Sequence, residues 1–199
     1  MKRIGIGLGF MALLLAVGQP ALRAELLRPD ERGVASGAYS NSDTVWYVNG
    51  IGGNWLAVGQ PNMWNRRDRV VFRFPILKFL PGNSIHKATL RFEYYAGGEV
   101  KRLHLIEVEH FTRERVYLSG TDLKTNAVSS VHVFEVPPDT PNTRLEIDVT
   151  KEVQDDIRLG FEFSAFRIRS RTSDEMGNPE MKSSFVNIVP GSMRLSVRP

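Results

Sequence analysis

The chain has 199 residues, 26 Lys and Arg against 22 Asp and Glu, 42% hydrophobic residues and no cysteine. This is enough chain for one domain with a sizeable core. It excludes disulfide staples, a thiol nucleophile, a thiolate metal site and a lipid-modified cysteine.

Lys2 and Arg3 precede an apolar run from Ile4 to Val17, and Ala24 offers a cleavage position, with Ala21 as an alternative. This is the pattern of a secretory signal peptide. The run is shorter than the ~20 residues a bilayer span needs, although an uncleaved anchor is the competing reading. The expected organisation is a signal at 1–24, then a single domain at 25–199, secreted to the periplasm or the exterior and free of the membrane once cleaved. Cleavage removes Lys2, Arg3 and Arg23 and no acid, leaving 23 cations against 22 acids, a net charge of +1. Net charge therefore does not support nucleic-acid binding, and any attraction to an anionic polymer must come from local clusters.

In chain order, Gly33 to Ser40 reads as a first edge strand, Thr44 to Val48 as a second, and Trp55 to Gly59 as a third after a glycine-rich turn. Arg69 to Tyr95 organises the rest. Phe72 and Phe74 alternate with Val71 and Arg73; after a Pro81-Gly82-Asn83 break, Leu90, Phe92 and Tyr94 alternate with Arg91, Glu93 and Tyr95. Period two means that each strand buries one face, and this hairpin-like unit needs a second sheet to cover it. Ala96 to Glu99 reads as a tight turn. Lys101 to Phe111 reads as a strand with His104, Ile106, Val108 and His110 on one face, central or bulged because both faces carry apolar groups. Ala127 to Val136 and Thr143 to Thr150 follow as strands. Thr150 as N-cap with Glu152 nearby predicts one short helix. Gly160 to Arg169 returns to strand, with a bulge near Ser164-Ala165 expected to turn Phe161, Phe163, Phe166 and Ile168 all inward. Arg171 to Ser184 reads as a loop, and Phe185 to Val189 and Met193 to Val197 as closing strands. About 8–10 short antiparallel strands and one short helix predict an all-β sandwich.

The "RF" strand, the LPGNSI turn and KATLRF resemble the signature of the DNRLRE-type domain, which is similar to carbohydrate-binding module family ninety-six. GGNWLAVG at 52–59, IDVTKEV at 147–153, GFEFSAFRI at 160–168 and MRLSV at 193–197 extend the likeness over residues 30 to 198. The resemblance implies a jelly-roll sandwich and carbohydrate binding, with some relatives directed at alginate-like chains. It carries no single ligand residue onto this sequence.

The residues themselves offer little catalytic patterning. His86, His104, His110 and His132 sit in no nucleophile or zinc motif. Glu107 and Glu109 share a strand face at about 7 Å, a spacing that also suits a glycosidase pair. Asp30, Asn41, Asp43, Asp174 and Asn178 are loop oxygens for a structural Ca2+, without a calcium-loop motif; no other cofactor is expected. The stronger feature is arginine interleaved with aromatics: Trp64, Arg66, Arg67, Arg69 and Arg73; Arg91 with Tyr95; and Arg167, Arg169 and Arg171. Guanidinium groups grip carboxylate or sulfate, and flat rings stack on sugars. The expectation is a non-catalytic module binding an anionic polysaccharide of the uronate type. Two alternatives stand beside it: a structural or adhesive module with a protein partner, and a small polysaccharide-active enzyme. A further alternative for the arginines is cross-strand pairing with Glu93, Glu107, Glu109, Glu135 and Glu162.

Overall fold

The computed structural model describes residues 24–29, 34–39, 45–49, 56–60, 67–79, 84–98, 102–111, 126–176, 184–189 and 191–199; the side chains of 34–39, 45–49, 67, 98 and 174–176 are outside that description. Residues 1–23 of the expected signal peptide and the side chains of Trp46 and Trp55 fall outside it as well. Twelve strands are described: β1 (Glu25–Leu27), β2 (Val34–Tyr39), β3 (Val45–Asn49), β4 (Leu56–Gln60), β5 (Arg67–Pro75), β6 (Lys87–Gly98), β7 (His104–Phe111), β8 (Ser129–Val136), β9 (Thr143–Asp148), β10 (Phe163–Ser170), β11 (Ser184–Ile188) and β12 (Arg194–Arg198). Two helices join them, α1 (Thr150–Arg158) and α2 (Arg171–Met176). The all-β sandwich holds, with more strands than the 8–10 expected and a second helix where Arg171 onward reads as loop.

Every pairing among the described strands is antiparallel. The order is β1-β12-β6-β11-β4-β5-β10-β7-β8, with β9 on the other edge of β6 and β2, followed by β3, on β5. The organising stretch is not a hairpin. β5 pairs with β2, β4 and β10, whereas β6 pairs with β9, β11 and β12, so β11 and β4 stand between the two strands in one continuous sheet. Their inward rows still meet in one core: Val70, Phe72 and Phe74 from β5, Leu90, Phe92 and Tyr94 from β6, with Phe166, Ile168, Leu195 and Val197. Phe134 of β8 closes the gap, 5.0 Å from the Tyr94 ring and 6.4 Å from Phe92, although β8 and β6 share no ladder. Burial of such rings, ~1.5–3 kcal/mol each, holds the layers together.

Three local expectations are corrected. β6 continues through Gly97 instead of turning at Ala96, because β11 pairs alongside it from Tyr94 to Gly98. β10 runs in unbroken register against both β5 and β7, so no bulge forms at Ser164-Ala165. Phe166 and Ile168 face the core while Phe163, of opposite parity, takes the outer face. The bulge lies in the β7–β8 ladder at Val108/Glu109. Finally, Thr150 is not the N-cap: it is the first helical residue after Val149. Asp148 Oδ1 accepts from both the Thr150 amide (2.9 Å) and its hydroxyl (2.6 Å), while Thr150 Oγ1 accepts from the Ala88 amide. Val153 and Ile157, one turn apart, dock α1 on the core, and Gly160 at φ 80 ends the helix in the left-handed conformation that glycine tolerates.

Candidate functional site: a cationic groove on the outer face of β6

Alternation along β6 points Ala88, Leu90, Phe92 and Tyr94 inward, leaving Lys87, Thr89, Arg91, Glu93 and Tyr95 on the outer face. β12 does the same with Leu195 and Val197 in and Arg194, Ser196 and Arg198 out. Register then sets Arg198 opposite Lys87, Ser196 opposite Thr89 and Arg194 opposite Arg91. Two of these three outward rungs pair like charges, an arrangement that costs stability on a sheet surface. They are separated by four residues of strand, about 13 Å. On the other flank of β6, β9 sets Asp148 opposite Thr89, Glu146 opposite Arg91 and Arg144 opposite Glu93.

Two adjoining hollows run along this face. One, of about 400 Å³, is lined by Lys87, Thr89, Arg91, Glu146, Asp148, Ser196 and Arg198, with Ala24 at its margin. The other, of about 260 Å³, shares Arg91 and adds Leu26, Phe92, Glu93, Arg144, Ser192 and Arg194. Five cations thus face three carboxylates. Asn142 Nδ2 donates to Glu93 at 3.1 Å. Asp148 is occupied by Thr150, whose side-chain and backbone hydrogen bonds, aided by Lys87, hold its carboxyl below the usual range. Glu146 lies 3.2 Å from both Arg91 and Arg144. Among the described residues, Lys87, Arg194 and Arg198 have no carboxylate within ion-pair distance. Arg194 instead donates to the Gly191 and Met193 carbonyls at 2.5 and 2.6 Å. Tyr95, 39% exposed, extends the outer row of β6.

The other arginine cluster has a different fate. On the outer face of the β5–β10–β7 layer, Arg167 pairs with Glu109 at 2.6 Å, Arg169 with Glu107 at 2.6 Å and with Glu109 at 2.9 Å, and Arg171 lies 3.9 Å from Glu107. Arg167, Glu107 and Glu109 are at most 5% exposed. Arg73 is also buried, its guanidinium 3.9 Å from the Phe163 ring centroid. Arg69 is half-buried on the same face. This is the cross-strand ladder alternative. Burial pushes the Arg167 guanidinium down, against the pull of Glu109. Burial pushes Glu107 up, but hydrogen bonds from Ser130 and Arg169 and the charges of Arg169 and Arg171 outweigh it and hold the carboxyl low. A general acid needs the reverse shift.

Of the sequence-predicted ligand residues, then, Arg91 lines both hollows, and Tyr95 lies further along the outer row of β6. Arg69, Arg73, Arg167, Arg169 and Arg171 lie on the ladder face. Trp64, Arg66 and the Arg67 side chain are outside the described residues. So are Asp30, Asn41, Asp43, Asn178 and the Asp174 side chain; among the described residues no three metal-ligating carboxylate or histidine side chains cluster. Lys87, Arg194 and Arg198 were legible only as cations at period four in KATLR and RLSVR. The buried histidines serve the interior: His104 between Ser170 and Ser184 hydroxyls, His110 against Asp156 at 2.9 Å. Among the described residues no helix is long and apolar enough to cross a membrane.

No family model and no curated protein matches the chain. Among solved structures it is similar to a latent aurone synthase (polyphenol oxidase), at 10% identity and TM-score 0.34 over 73% of this chain, and it spans about a quarter of that structure (24%). It is also similar to the K1 cleaved adhesin domain of Lys-gingipain from Porphyromonas gingivalis W83, at 9% identity and TM-score 0.38, covering 86% of this chain and 97% of that one. A provisionally named glycoside hydrolase from Bacteroides vulgatus gives 13% identity and TM-score 0.29 over 75% of this chain and 72% of that one. Likenesses at this level carry no functional argument.

Proposed function

We propose that the protein is a secreted, non-catalytic module of the DNRLRE type that binds an anionic polysaccharide along the outer face of β12, β6 and β9. The observation that carries this reading is the pair of like-charged rungs, Arg198–Lys87 and Arg194–Arg91, on an open sheet face. Repulsion across each rung is relieved when a carboxylate or sulfate bridges it, so the folded protein holds electrostatic energy that an anionic ligand releases. Thr89 and Ser196 between the rungs supply hydroxyls for sugar oxygens, and Tyr95 supplies a flat ring further along the row.

The test is binding of the full chain to polygalacturonate and dextran sulfate, with uncharged dextran as the matched control, followed by a glycan array. The expected result is binding to the charged polymers that weakens with salt and falls roughly tenfold or more in Arg194→Ala, from loss of one charge-assisted contact of ~1.5–3 kcal/mol. Absence of binding to every anionic polymer refutes it.

One observation favours a protein partner instead. Among the described residues nothing pairs with β8 beyond β7, and its SSVHVFEV sequence has none of the Lys, Arg or Pro that protects an edge strand, with Val133 38% exposed. A blank glycan array, with concentration-dependent self-association abolished by Val133→Lys, would put strand addition in first place.

A further inference from the structure

Glu146 lines the groove beside Arg91. Its Oε1 lies 3.2 Å from Arg91 Nε and 3.2 Å from Arg144 Nη2, so one carboxylate oxygen spans guanidinium groups of two neighbouring strands. The contact is loose. Arg91 Nε is shielded from water and within charge-pair distance of Glu146, yet it makes no hydrogen bond: the approach is close but not along the N–H direction. It is a charge pair without a directional bond, the weaker of the two kinds of contact. Glu146 and Arg144 are about half exposed, at 46% and 58%, so both are free to re-orient. Asp148, two residues along the same face, is held by Thr150 and is not so placed.

We infer that Glu146 is a built-in competitor for the groove, closing the Arg91–Arg144 position in the free protein and swinging away when a carboxylate or sulfate of the glycan takes both guanidinium groups. This rests on the polysaccharide reading above. Glu146 thereby determines specificity. A neutral glycan has nothing to offer Arg91 in exchange, whereas a densely charged chain replaces one anion by another and also neutralises the Arg91–Arg194 rung. Glu146 sets how much ligand charge is required.

The experiment measures affinity of the full chain and of Glu146→Gln for polygalacturonate, dextran sulfate and dextran, with Arg91→Ala in parallel. Glutamine keeps the shape and removes the competing charge. The expected result is that Glu146→Gln binds both anionic polymers roughly three- to tenfold more tightly, the gain expected from abolishing two exposed ion pairs. Dextran is unchanged, and Arg91→Ala weakens the anionic polymers. A slightly lowered melting temperature accompanies the gain, because Arg91 then faces Arg194 with no carboxylate beside it. If wild type binds and Glu146→Gln binds equally or more weakly, the competitor role is overturned while the polysaccharide reading stands. If wild type binds none of the charged polymers, both fall together.

Discussion

His104 is wholly enclosed, and its two ring nitrogens meet serine hydroxyls: Nδ1 at 3.1 Å from Ser170 Oγ and Nε2 at 2.6 Å from Ser184 Oγ. Neutral hydroxyls satisfy an imidazole but do not neutralise an imidazolium. Burial therefore pushes the group down from 6.5 to about 4. Between those values the unfolded chain binds a proton that the folded chain refuses. The stability contributed by neutral His104 is complete above pH 6.5, declines as the pH falls, and is lost below about 4. At ~1.4 kcal/mol per pH unit the gap is worth ~3 kcal/mol. The perturbation is His104→Gln, which retains a hydrogen-bonding amide and cannot titrate. Urea unfolding at several pH values between 7 and 4 gives the free energies by linear extrapolation. Wild type is expected to lose ~3 kcal/mol more than the variant over that range, although the variant starts lower at pH 7 by ~1–3 kcal/mol for the imperfectly replaced bonds. Parallel pH profiles for the two proteins would refute the reasoning, since other carboxylates and histidines titrate in both.

Glu109→Gln removes the buried carboxylate that Arg167 and Arg169 share and is expected to destabilise by ~3–5 kcal/mol, lowering the melting midpoint by roughly 6–20 °C in a calorimetric scan. Glu146→Gln, on exposed partners, should cost no more than ~1 kcal/mol, so equal losses at the two sites would contradict the burial contrast drawn between the faces. Gly97 lies so close to β11 that an added Cβ meets the Asn187 side chain and lies 2.5 Å from the Phe185 ring. Gly97→Ala is therefore expected to lose ~1–3 kcal/mol by denaturant midpoint, and a neutral result would mean β6 and β11 are not in contact there.

The sequence by itself determined the inward and outward rows of β5 and β6, though not those of β10, where Phe163 faces outward. Parity along VVFRF and TLRFEYY is enough to send Phe72, Phe74, Leu90 and Phe92 inward and Arg91 and Tyr95 outward, because successive strand residues alternate whatever lies beside them. It also carried the all-β class, through short apolar runs broken by turns. It did not carry which strand lies against which. β5 and β6 read as one hairpin, yet β11 and β4 stand between them in the sheet. Arg167 and Arg169 have the parity of a binding face, yet β7 sets Glu109 and Glu107 directly beside them and the charges are consumed within the sheet. Arg194 and Arg198 read as scattered cations, yet β12 lies against β6 in the register that doubles Arg91 and Lys87. Pairing joins residues a hundred positions apart, and it is decided by which combination of faces closes the core. The same outward arginine becomes a structural pair or an open anion site according to the neighbour that closure brings to it.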